Sequence, residues 1–204
     1  PRVEPMTTSH PTARGVTARA PGKVNLALVV GPLRDDGFHE LVNVFHAVSL
    51  VDHVTATPAD EVSVSVEGVH SEGVPCDATN LAVRAALLLA ERAGVDDGVH
   101  LHIKKQIPVA GGMAGGSADA AAALLACDAL WQTGMSRDDL ADVGAYGHGL
   151  DRSTPLWLYV LREAQLVNGG QYLGPVGGRI VAEVMLGLLR ADPDSYLSRQ
   201  PHWQ

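Results

Sequence analysis

The 204 residues, 46% of them apolar, supply enough hydrophobic side chains for one ordinary domain or a domain plus a fragment. A formal net charge of −8 argues against broad electrostatic attachment to nucleic acid or to anionic lipid, both of which require a basic face. Apolar runs such as Val24 to Val30 and Ala85 to Ala90 fall short of the roughly 20 residues needed to cross a bilayer, so the chain reads as cytoplasmic.

Residues 1–16, rich in Pro, Thr and Ser, read as a disordered leader, with Met6 as a candidate true start. Apolar and β-branched runs then predict strands at Val16 to Ala20, Val24 to Val30, Val42 to Thr57, Val62 to Glu67 and Val99 to Lys104. His100 and His102 share one face of the last of these, a pattern more typical of a solvent face than of a metal site.

Thr79 or Asn80 is placed to cap a helix running through Arg92, and Gly94 to stop it in a left-handed turn. Ser117 is expected to cap a second, Ala-rich helix extending to about Trp131. Ser136 and Asp139 resemble a capping box that starts a third. Strands mixed with crossing helices predict an α+β layered domain over residues 17–145.

The remainder, 146–204, differs in composition. Residues 1–145 hold ten of the 15 Lys and Arg and 18 of the 23 Asp and Glu, so the net charge belongs entirely to that part. Six of the nine aromatics lie after residue 145. Here Ser153 or Thr154 before Pro155 predicts a helix that Asn168, Gly169 and Gly170 end, and a second helix is expected from about Val176 to Arg190. The segment is thus read as a helical tail of different origin. Cys76 and Cys127 lack metal-site spacing and read as reduced thiols.

The chemical signal lies in Pro108-Val109-Ala110-Gly111-Gly112-Met113-Ala114-Gly115-Gly116-Ser117. Four glycines in six positions let backbone N–H groups converge on an anion, and the loop leads into the positive end of a helix. No Gly-Lys-Ser/Thr follows, so it is not a Walker A loop. Ser117 is typed to reach a phosphate or a Mg²⁺ shell, while Asp119 reads as a first-turn partner of the helix dipole. At the other end of the domain, Ala20-Pro21-Gly22-Lys23-Val24-Asn25-Leu26 sets Lys23 and Asn25 at the mouth of an apolar strand. Beside a phosphate site, Lys23 suits stabilisation or deprotonation of a reacting hydroxyl.

These two motifs, with Asp36-Gly37-Phe38-His39-Glu40-Leu41 between them and Asp77-Ala78-Thr79-Asn80-Leu81 before the loop, resemble the GHMP kinases. The resemblance implies the ribosomal protein S5 domain 2-like fold and transfer of the γ-phosphoryl group of ATP, with Mg²⁺, to a small-molecule alcohol. The pattern is most similar to members that phosphorylate the 2-hydroxyl of cytidine-diphosphate-linked methylerythritol in non-mevalonate isoprenoid biosynthesis. By position it makes Lys23 the lysine near that hydroxyl, with Asn25 beside it, and Phe38 and His39 the pair holding cytosine. It sets Asn80 near adenine, and the stretch from Pro108 and Ala110 through Gly111, Gly112, Met113, Ala114, Gly115, Gly116 and Ser117 around the phosphates.

Past residue 145 the family carries a carboxylate in a Leu-Gly-Ser-Asp-Val-Pro-Phe stretch; this chain has Tyr146 to Pro155 instead, and Asp151 is the candidate substitute. Leu150 to Gln204 is similar to the C-terminal end of bacterial haem peroxidases of the animal type, without a haem-ligand context. The expectation is therefore nucleotide binding with impaired turnover, the alternative being a non-catalytic chimeric or truncated interaction module.

Overall fold

A computed structural model describes residues 15–35, 37–147, 160–168, 171–173 and 183–190. In chain order the elements are β1 (Val16–Leu33), β2 (Phe38–Ala59), β3 (Ser63–Glu67), α1 (Leu81–Ala93), β4 (Gly98–Lys104), α2 (Gly115–Trp131), α3 (Arg137–Gly147), β5 (Gln165–Asn168), β6 (Gln171–Leu173) and β7 (Glu183–Arg190). The expected α+β architecture holds. The strands form one sheet in the order β3-β4-β2-β1-β5-β6, with β7 added to β2. Every pairing is antiparallel except β3 with β4.

The two expected N-terminal strands are one. β1 runs unbroken through Pro21, and a register shift between Pro21 and Lys23 absorbs the irregularity that Gly22 and the proline introduce. The near half of β2 pairs with β4 from His53 to Ala59, and its far half pairs with β7 from Phe38 to Phe45. β1 and β2 thus extend as a long arm, on which Leu26, Leu28, Val29 and Leu33 are exposed.

Alternation along the near strands sends Ala18, Ala20, Val54, Ala56, Val99, Leu101 and Ile103 to one face. Helix α2 lies on that face with every residue from Ala118 to Cys127 buried. Its run of alanines lets sheet, α2 and α1 approach closely, since a helix apolar all round is stable only when covered all round. Asn80 caps α1 as expected: its Oδ1 accepts from the Ala82 amide at 2.9 Å, and Gly94 closes the helix at φ +66°. The Ser136–Asp139 box also forms, Oγ of Ser136 accepting from the Asp139 amide at 3.1 Å and Oδ2 of Asp139 accepting from the Ser136 amide at 3.2 Å.

The helical tail is corrected. Val160 to Glu163 are helical, but β5, β6 and β7 are strands, and β7 occupies most of the expected second helix. The apolar run from Val184 to Leu189 fits either period, and the unpaired edge of the β2 arm decides for strand. Residues 160–168 pack into the body: Val160, Leu161 and Ala164 are buried in the core, and Arg137 Nη1 donates to the Leu161 and Ala164 carbonyls at 2.7 and 3.0 Å. The leader up to residue 14, the Ser153–Pro155 helix start and Asp151 lie outside the described residues. Among the described residues no helix is long and apolar enough to cross a membrane.

The sheet face away from the helices is polar. Along its edge Ser63, His100, Ser65, His102 and Glu67 form a connected row, with contacts of 2.9 to 3.3 Å between successive side chains. His100 and His102 are thus on the solvent side, as expected, engaged with serines and a glutamate.

Candidate active site

The glycine-rich loop connects the end of β4 to α2. Three of its residues take left-handed backbone angles: Ala110 (φ +57°), Gly112 (+70°) and Ala114 (+59°). Such interspersed left-handed residues turn successive N–H groups toward one side, a concavity for an anion. Ala114 is the residue before the helix and offers no side-chain cap. α2 therefore begins at Gly115, three residues before the start expected from a Ser117 cap, and Ser117 stands inside its first turn instead of capping it.

Lys23 reaches this loop twice. Its backbone amide donates to the Met113 carbonyl at 3.0 Å, and its Nζ donates to the Gly112 carbonyl at 2.6 Å. Nζ also donates to Asn25 Oδ1 at 2.7 Å, and Asn25 Nδ2 donates to Oδ1 of the buried Asn43 at 2.8 Å. The ammonium lies 5.7 Å from the centre of the Phe45 ring. Burial lowers its pKa from the ordinary lysine value, moving it toward a state in which the amine can take up a proton. Gly22 packs closely here: a Cβ would sit 3.2 Å from the Met113 methyl, the movable end of a flexible side chain.

Next to the loop is an open cavity of about 180 Å³ lined by Asn80, Leu81, Pro108, Ala110, Gly115 and Gly116, with Lys105 and Asp119 also in its wall. The structure thus gathers Asn80 and the two ends of the loop at one cavity, and Lys23 and Asn25 at the loop's middle. His39 lies apart from both, high on the arm, its Nδ1 2.8 Å from the Gly31 carbonyl oxygen.

Three residues under the loop form a buried ion cluster. Lys105 Nζ lies 2.5 Å from Asp52 Oδ2 and 2.8 Å from Asp119 Oδ2. Asp52 Oδ1 accepts the amides of Gln106 (2.6 Å) and Ile107 (2.9 Å). Among the described residues, Asp119 Oδ1 has no hydrogen-bond partner. Two carboxylates and one ammonium leave a net buried negative charge unless a proton is retained. Asp119 retains it: burial foremost, then the Asp52 charge, push its pKa up to about 8 against the pull of Lys105. Burial works to lower Lys105, but the carboxylates outweigh it and raise its pKa, so it stays charged.

Asp119 is therefore not a dipole partner in the first turn. It stands in the second turn and is committed to Lys105. Lys105 and Asp52 escaped motif reading, although strand parity marks both. Val99, Leu101 and Ile103 point inward, so Lys105 is next on that face; Val54 and Ala56 do likewise, so Asp52 precedes them.

Among the described residues no cluster of three or more His, Cys, Asp or Glu side chains is arranged to hold a metal ion. Ser117 stands in the first turn of α2.

Residues 80–154, which carry the left-handed glycine loop, match the family described as "GHMP kinases N terminal domain". More narrowly, the chain is 59% identical over 169 residues to a 4-diphosphocytidyl-2-C-methyl-D-erythritol kinase of Kineococcus radiotolerans, covering 81% of this chain and 51% of that protein. It is 63% identical over 130 residues to the enzyme of the same name from Streptomyces avermitilis, covering 64% and 44%. A solved 4-(cytidine 5'-diphospho)-2C-methyl-D-erythritol kinase superposes with a TM-score of 0.54 at 34% identity, covering 78% of this chain and 55% of that one. The chain spans about half the length of the curated relatives it matches. The 169-residue match is longer than the stretch 17–145 that the motifs delimit.

Proposed function

We propose that this chain contributes the nucleotide-binding part of an ATP-dependent kinase that phosphorylates the 2-hydroxyl of 4-diphosphocytidyl-2-C-methyl-D-erythritol. The observation that carries the reading is the Lys23 tether: one side chain of lowered pKa, held at the lip of an anion-ready loop. In this scheme the loop amides and the N-terminus of α2 hold the triphosphate, and Asn80, Pro108 and Gly116 border the base. Asn25, fixed by Asn43, keeps Nζ aimed at the space in front of the loop. The substrate oxygen forms the new bond to the γ-phosphorus, the bond from that phosphorus to the β–γ bridging oxygen breaks, and ADP leaves. The hydroxyl proton passes to the Lys23 amine. The Ser117 hydroxyl would contribute to a Mg²⁺ shell, and that ion would supply neutralisation of phosphate charge. Phe38 and His39 on the arm receive the cytosine, and Asp151 supplies the family's carboxylate.

Calorimetric titration of Mg·ATP tests the binding half. Saturable heat below millimolar ligand supports it, and silence there refutes it. ADP release with the cytidylylated substrate tests the chemistry, and Lys23→Met is expected to lower kcat by roughly a hundredfold or more while leaving ATP affinity within about tenfold.

A further inference from the structure

Asp52 has no contact with the cavity, yet it holds both ends of the glycine-rich loop. Its side chain is wholly buried on β2. Through Oδ1 it fixes the Gln106 and Ile107 amides, the two residues from which the loop departs. Through Oδ2 it fixes Lys105, whose Nζ continues to Asp119 on α2, the helix that receives the loop. The cluster lies directly beneath the junction, because a Cβ on Gly115 would be 3.0 Å from Lys105 Nζ.

The loop needs such a hold. Two of its left-handed residues are alanines, whose Cβ disfavours that backbone relative to the right-handed one. Val109, Ala110, Gly111 and Gly112 are exposed and have little packing of their own. Lys23 restrains the middle of the loop, and the cluster restrains its ends.

We propose that Asp52 is a positioning residue for the phosphate-binding loop: a single buried carboxylate that sets where the loop starts and, through Lys105, where its helix begins. The proposal rests on the kinase reading for its ligand, and its structural content stands apart from it. In the full chain, Asp52→Ala removes all three accepted bonds, whereas Asp52→Asn keeps an acceptor for the two amides and loses the charge that holds Lys105.

Affinities for ADP and for adenosine, measured by calorimetry, separate loop position from general damage. Asp52→Ala is expected to weaken ADP roughly tenfold to a hundredfold while adenosine changes less than about threefold, and Asp52→Asn is expected to recover most of the loss. Hydrogen exchange over residues 106–117 is expected to quicken in both variants, more in the alanine one, with the interior of α1 unchanged. An equal loss for both ligands, or faster exchange throughout the sheet, would show a merely structural carboxylate and overturn the proposal. So would unchanged loop exchange. If Asp52→Ala does not fold, Asp52→Asn decides alone, with exchange at 106 and 107 at least about threefold faster expected because a charged acceptor is the stronger one. Wild-type protein that binds neither ADP nor adenosine would defeat the kinase reading, and the exchange comparison would still judge Asp52.

Discussion

Replacing Asp119 with asparagine should change how stability depends on pH. The charged groups facing this carboxyl are Lys105, from the segment after β4, and Asp52, from β2. In the folded chain it keeps its proton to about pH 8, and in the unfolded chain to about pH 4. Between those values the native state binds one proton more than the unfolded state, so stability falls as pH rises, by at most about 1.4 kcal/mol per unit, and levels off above about pH 8. From about pH 5.5 to about pH 7.5 this comes to as much as 3 kcal/mol, a large share of a typical domain's 5–15 kcal/mol. Asparagine keeps an oxygen for Lys105 and places an amide where the orphaned Oδ1 was, without a proton to lose. Urea unfolding of both proteins across that range should show a wild-type curve that declines relative to the variant's. Titratable groups common to both proteins cancel in the difference. Parallel curves would refute the assignment of the retained proton to Asp119.

The two cysteines should differ sharply in reactivity. Burial raises Cys127 to about 12 and Cys76 is exposed, so a thiol reagent at neutral pH should modify one thiol in the native chain and two in urea. Gly68→Ala should cost roughly 2–5 kcal/mol, because the backbone is left-handed there (φ +112°) and the new methyl would lie 2.3 Å from the Lys105 carbonyl oxygen; chemical denaturation reads it. Asn80→Ala should lower stability by about 1–2 kcal/mol by uncapping α1 and leaving the Pro75 carbonyl without its donor. If Asn80 also borders the base, the same variant weakens adenosine binding, whereas a cap alone leaves it unaltered.

Local chemistry was legible wherever a few neighbouring residues decide the outcome. Asn80, Gly94 and the Ser136–Asp139 pair name their helix ends because each bond spans at most a handful of positions. The loop was legible as an anion site from its glycines, but not its geometry, because alanines occupy two of the three left-handed positions, and for that reason α2 starts before Ser117. The tail was misread because the apolar residues of β7 satisfy a helical period, while its pairing partner lies on β2, more than a hundred residues earlier in the chain. Lys105 and Asp52 were readable in principle from alternation alone. Recognising them as partners required the register that sets β2 beside β4, which no local pattern carries.

Lys23 holds the loop by main chain and side chain at once, at Met113 and Gly112. The residue that would accept the substrate's proton and the surface that would hold the nucleotide are thus one mechanical unit, carried on β1. A shift of that strand displaces both together, so variants along β1 around Gly22 should move the Michaelis constant for ATP and the turnover number in step. The long arm continues from the same strand to Leu33. Backbone continuity thus links the arm to the loop, across the register shifts between Asn25 and Ala27 and between Val30 and Leu33.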